Sequence, residues 1–138
     1  MTRLLTIPAA LAATLVLAAC QPTEPAAPGS VIPTGPYVLV GIGQDTVPQR
    51  NVGIQIDGTT LTGQGPCNSY SAAQTGTPPG FRVEGLTTSG QPCSGTAGAL
   101  ESRYFQRLQE ADGIKYLGSV LTITGPVDYL TFEPGYRK

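Results

Sequence analysis

Apolar and polar side chains alternate from Val52 to Asp57, with Val52, Ile54 and Ile56 set against Gly53, Gln55 and Asp57. A period of two buries one face only in a β-strand. Asp57-Gly58 follows at once. Both residues tolerate positive φ, so the pair predicts a tight hairpin with a return strand over Thr59 to Gly63 and Leu61 facing inward. The chain is thereby committed to antiparallel sheet. Its 18 glycines and 13 prolines break the remainder into short runs that favour turns and strands over long helices.

Other strands are expected at Tyr37 to Ile42, Phe81 to Thr88, Ile114 to Leu117, Val120 to Thr124 and Val127 to Glu133, with turns at Gly118-Ser119 and Gly125-Pro126. Ser71 to Gly80, rich in small and turn-forming residues, reads as an exposed loop. One helix is predicted where Ala97, Leu100, Tyr104, Leu108 and Ala111 recur at steps of three and four, giving one apolar stripe widened by Phe105. Glu101, Arg103, Gln106, Arg107 and Glu110 are expected mainly on its solvated side, with Gly113 past its end as a left-handed cap. Strands before and after a single helix, with short connections, give an α+β domain: a curved or barrel-like antiparallel β-sheet with one amphipathic helix packed against it. No internal repeat recurs at solenoid periods.

The start of the chain has a different character. Arg3 precedes an apolar run from Leu4 to Leu17, and small residues lead to Leu17-Ala18-Ala19-Cys20, the pattern of a secretory signal over residues 1–19. The run contains Pro8 and falls short of the roughly 20 residues that span a bilayer. The Leu-Ala-Ala-Cys run resembles the lipobox of bacterial lipoproteins, which implies lipidation of Cys20, cleavage before it and attachment to a membrane through acyl chains. Gln21 follows where Asp commonly retains such proteins in the inner membrane of enteric bacteria. Outer-membrane delivery, facing the periplasm of a Gram-negative host, is the corresponding expectation. Residues 20–35 include Pro22, Pro25, Pro28 and Pro33 and read as a tether extending on the order of 40 Å, leaving residues 36–138 as the folded domain.

Of the three cysteines, one is assigned to lipid, and an oxidising compartment makes Cys67 and Cys93 a natural pair. The alternative is two buried thiols. Closing a loop of about 25 residues would stabilise by roughly 3 to 4 kcal/mol in the chain-entropy model.

Gly65-Pro66-Cys67-Asn68-Ser69-Tyr70, then Cys93 followed by Glu101, Tyr104-Phe105 and Leu108, then Tyr116, Leu121-Thr122-Ile123 and Leu130-Thr131-Phe132 together resemble the META domain family. This family includes the heat-shock protein HslJ and related bacterial lipoproteins. The resemblance spans about residues 36 to 134. It departs from the family at the first strand, where Tyr37 stands near a frequent Trp, and at Thr88-Ser89-Gly90-Gln91-Pro92-Cys93, where the family often has Thr-x-Met-Ala-Cys. It implies a compact domain of the periplasm or outer membrane, with some members linked to heat stress and to tolerance of antibiotics such as novobiocin. It supplies no catalytic residue. Asn68 and Tyr70 match the turn motif and are assigned structural roles there.

A chain without histidine cannot build a Ser-His-Asp or Cys-His arrangement or an imidazole metal site, and two cysteines alone do not complete a four-ligand zinc site. No phosphate-binding glycine loop follows a strand. Asp45, Asp57, Glu84, Glu101, Asp112 and Asp128 are scattered, with no spacing that singles out an acid/base pair. Removing Arg3 with the first 19 residues leaves seven basic against nine acidic side chains, a balance that points to neither nucleic acid nor an anionic surface as an electrostatic partner. The expectation is a non-enzymatic envelope lipoprotein with no cofactor and no metal, supporting membrane integrity or stress tolerance, with an envelope protein or small ligand as partner. A small-molecule or peptide-binding module is the alternative; a carboxylate-dependent hydrolase is less favoured.

Overall fold

A computed structural model describes residues 28–29 and 31–135; the signal segment and Cys20 lie outside the described residues. The element order is β1 (Gly35–Ile42), β2 (Asp45–Thr46), β3 (Gly53–Asp57), β4 (Thr60–Gln64), β5 (Ser69–Thr75), β6 (Arg82–Thr88), α1 (Gly95–Gln109), β7 (Gly113–Leu117), β8 (Val120–Thr124) and β9 (Tyr129–Pro134). One antiparallel sheet runs β6-β5-β4-β3-β1-β9-β8-β7, with the two-residue β2 paired to β1. It curls into a half-barrel. Gly80 bridges to Gly113, and Phe81 N–H to Asp112 O (3.1 Å) and Ile114 N–H to Pro79 O (2.9 Å) draw the two edges together at one point.

The hairpin at Asp57-Gly58 forms with Asp57 opposite Thr60, and Leu61 is fully buried. Helix α1 supplies Tyr104 and Leu108 to the same core, both without exposed surface; burying each side chain contributes about 1.5–3 kcal/mol. The expected loop from Ser71 is corrected: β5 continues to Thr75 and pairs with β4 on one side and β6 on the other. Its inward residues are Tyr70 and the small Ala72, so alternation exists there with little hydrophobic contrast. Gly76 to Gly80 remain as the connection.

The sheet is built from two matching halves. Residues 53–72 align without a gap on residues 113–132, sharing Gly53/Gly113, Ile54/Ile114, Gly58/Gly118, Leu61/Leu121, Thr62/Thr122, Gly65/Gly125 and Pro66/Pro126. The correspondence persists in the backbone. β3-β4-β5 and β7-β8-β9 are equivalent meanders: Leu61 faces Ala72 as Leu121 faces Phe132, and Gly63 faces Tyr70 as Ile123 faces Leu130. β1 lies on β9 as β6 lies on β5: Ile42, Gly41 and Val38 oppose Leu130, Thr131 and Glu133, while Thr88, Thr87 and Glu84 oppose Tyr70, Ser71 and Ala73, each pairing irregular at the same place. The match fails only between β6 and β7. β1 runs along β3 with Val38 opposite Gly53, whereas Gly80, not Glu84, meets Gly113.

Candidate functional site

The polar centre of the molecule lies where the turn after β4 meets α1. Gly65 N–H donates to Asn68 O at 2.7 Å, closing a turn that presents two backbone amides in one direction. The Glu101 carboxylate receives them, Oε2 accepting from Cys67 N–H (2.8 Å) and Asn68 N–H (2.7 Å). Oε1 accepts from Asn68 Nδ2 at 2.5 Å. Both residues are buried, Asn68 4 % and Glu101 6 % exposed, and a buried carboxylate persists only where its lone pairs are matched in this way. A Cβ on Gly65 would stand 2.7 Å from Glu101 Oε2 and 3.0 Å from Phe105 Cζ, so the close approach needs glycine.

Asn68 ties this turn to the segment before the helix. Its Oδ1 accepts from Gln91 N–H (2.6 Å) and Ser89 Oγ (2.9 Å), and its Nδ2 also donates to Gln91 O (3.1 Å). The amide group therefore imitates a strand neighbour, one donor and one acceptor facing one residue's backbone. Beside it Cys67 and Cys93 form a disulfide, Cα to Cα 5.7 Å. Tyr70 completes the motif from within: its hydroxyl donates to Gly53 O (3.0 Å) and lies 2.6 Å from that of Tyr104. Its ring packs edge-on to Tyr104 and Phe105.

Glu101 on a solvated helix face is thus corrected. The stripe that faces the sheet is better written Ala97, Glu101, Tyr104, Leu108 and Ala111, spaced four, three, four and three; the last four are buried. A lone carboxylate inside an apolar stripe, following a turn with free amides, was the signal that could have found it.

The second half carries a related turn. Gly125 N–H donates to Asp128 O (3.1 Å) as Gly65 does to Asn68, and Asp128 occupies the place of Asn68. Its helix partner is Arg103, whose guanidinium donates to Asp128 Oδ2 (3.2 Å), Asp45 Oδ2 (2.6 Å) and Ile42 O (3.2 Å). Hydrogen bonding to Asp45 and then Asp128 holds the Arg103 pKa above its ordinary value. The Asp128 carboxyl titrates below the usual range, first because Tyr129 N–H donates to it and further because Arg103 is close.

Among the described residues, the sulfurs of Cys67 and Cys93 and a Glu101 oxygen lie within 4.8 Å of one another. This set does not suit a metal ion as it stands, because the sulfurs are bonded to each other and the carboxylate already accepts three hydrogen bonds. Among the described residues, one hollow of about 440 Å³ lies over the outer face of β4, β5 and β6, lined by hydroxyls including Thr62, Ser71 and Thr87, and another of about 260 Å³ lies at the hairpin end, lined by Ile32, Ile56, Phe81 and Ile114 with Thr34 and Gln74.

A model of the META domain matches residues 30–134. No curated protein matches the sequence. Among solved structures, the chain is similar to a Burkholderia xenovorans protein determined by NMR, with TM-score 0.62 at 17 % identity, covering 85 % of this chain and 100 % of that one. It is also similar to the crystal structure of a DUF4847 family protein from Bacteroides vulgatus, with TM-score 0.57 at 11 % identity, covering 76 % and 95 % respectively. Both likenesses concern the fold. With the motif turn, the disulfide and the helix in the order the family model spans, this chain belongs to the META domain family.

Proposed function

We propose that the protein is a non-enzymatic lipoprotein of the cell envelope, attached to the outer membrane through Cys20, whose domain supports membrane integrity or tolerance of stress and antibiotics. The observation that carries this reading is the commitment of Glu101 and Asn68 to holding the fold. Asp45 and Asp128 are likewise engaged by one guanidinium, which argues against their serving as a free acid/base pair. Fully buried Leu39, Tyr104 and Phe132 fill the sheet interior, as suits a scaffold.

The test is made on protein extracted from membranes. Its intact mass should correspond to a chain beginning at Cys20, raised by acyl groups and lowered by the two hydrogens lost on joining Cys67 to Cys93. Loss of the gene should sensitise the host to a bulky antibiotic, and the wild-type gene but not the Cys20→Ala variant should restore tolerance. A mature chain that starts elsewhere without acyl mass overturns the anchor; full rescue by Cys20→Ala overturns its importance. A second reading, a module for small apolar molecules, is favoured by the hollow at the hairpin end, where apolar walls converge with Thr34 and Gln74.

A further inference from the structure

The turns at residues 65–68 and 125–128 both meet α1, through Glu101 and Arg103. The hairpins after β3 and β7 lie at the other ends of the same strands, so the half-barrel has a helix end and a hairpin end. The chain enters the domain at the hairpin end. Gly29 O accepts from Tyr116 N–H at 3.1 Å, on the edge of β7 that β6 leaves uncovered where the two halves cease to match. From there Ile32 packs against the core, Ile32 and Thr34 line the hollow, and Tyr37 Oη donates to Pro33 O (2.7 Å). Residues 31–34 are a strap across the hairpin end.

Two of the exposed large apolar side chains flank this attachment: Val31, 70 % exposed, and Leu117, 65 % exposed. Val31 is two residues beyond Gly29, and Leu117 is next to Tyr116, Gly29's bonding partner. The exposed apolar residue Val127, 71 % exposed, sits in a turn at the helix end.

We infer that the hairpin end is the membrane-facing end of the domain, with Val31 and Leu117 seated in the boundary between lipid headgroups and acyl chains. This rests on the acylation of Cys20 proposed above. Only eight residues lie between Cys20 and Gly29, and even fully extended the nine steps from one to the other reach at most about 30 Å. The eight residues of β1 are about 26 Å long, and α1 lies at their far end, where Arg103 donates to Ile42 O. The helix end can therefore approach the surface only with the intervening chain drawn taut, whereas the hairpin end does so with the chain slack. Slack chain keeps its conformational entropy, and apolar side chains at the interface gain from leaving water.

The chain has no tryptophan, so a single introduced indole reports its own depth. Leu117→Trp and Val127→Trp are each prepared as acylated full-length protein and reconstituted into phosphatidylglycerol/phosphatidylethanolamine vesicles with brominated acyl chains. Leu117→Trp should lose most of its emission, and Val127→Trp should keep most of its own. Adding Val31→Asp to Leu117→Trp should weaken the quenching while the mass stays acylated and the melting temperature holds. Equal emission from the two reporters in acylated protein, or deeper quenching at Val127, overturns the orientation alone. Absence of acyl mass on Cys20 overturns the anchor, and the orientation with it.

Discussion

The two motif turns have the same backbone and opposite chemistry. At 65–68 the helix offers a buried carboxylate to backbone amides, and a disulfide closes the same corner. At 125–128 the helix offers a half-exposed guanidinium to two carboxylates, and Val127 stands where the first half has Cys67. A similar exchange occurs in the core. Gly63 leaves room for the Tyr70 ring opposite, a Cβ there standing 2.6 Å from Tyr70 Cζ, while Ile123 and Leu130 fill the corresponding pair of positions. The same backbone frame accepts either solution because other side chains, Tyr104 and Phe105 around Tyr70 among them, close the space that the pair itself leaves. What distinguishes the halves is how much water each polar anchor has given up. The first turn should therefore depend on its anchor far more than the second.

Glu101→Ala tests this most severely. It leaves Cys67 N–H, Asn68 N–H and one Asn68 Nδ2 contact without an acceptor, and unmatched buried donors cost about 1–3 kcal/mol each before relaxation and water entry. A net loss of about 4 kcal/mol in denaturant unfolding is expected. Glu101→Gln should recover only part, because its amide NH₂ would turn a donor toward either Asn68 Nδ2 or the backbone amides. A loss under about 1 kcal/mol for the alanine variant would show that burial of the carboxylate matters little, and the contrast between the turns would go with it.

The disulfide comes next. Replacing Cys67 and Cys93 together by serine opens a loop of 26 residues, worth about 3.5 kcal/mol in the chain-entropy model. Since Asn68 bonds the same two segments independently through Gln91 and Ser89, the reduced protein should still fold in mild conditions with a lower denaturation midpoint. Unfolding on reduction alone would mean that the hydrogen-bond network cannot hold the corner without the covalent link.

Much of this frame was legible in the residues. Alternation at Val52 to Ile56 with Asp57-Gly58, the helix stripe, and the cysteine pair each express a local rule, and local rules survive folding. β5 escaped because Ala72 and Ala73 give no apolar contrast, and its pairing with β4 and β6 is decided by neighbours distant in sequence. Glu101 escaped because a charged residue beside others on a helix is usually solvated; only the incoming amides of Cys67 and Asn68 reverse that preference. The halves escaped as well, since their shared positions are mostly glycines, prolines and turn residues, which mark geometry rather than chemistry.

The smallest effect belongs to the second turn. Arg103 keeps 39 % of its side chain in solvent, so screening limits the loss on Arg103→Ala to about 0.5–1 kcal/mol, a quarter or less of that expected for Glu101→Ala. Acid separates the contributions further. The Asp128 pKa is lowered in the folded protein, so its share of stability is fully present above the ordinary carboxylate value of about 4 and is lost as pH falls through the lower folded value. Because Tyr129 N–H is the first cause and stays in place when Arg103 is removed, Arg103→Ala should raise the Asp128 titration midpoint seen by carboxyl NMR yet leave it below that of an exposed aspartate. A midpoint returning fully to the ordinary value would assign the depression to the guanidinium. The second turn would then rest on its helix partner as heavily as the first.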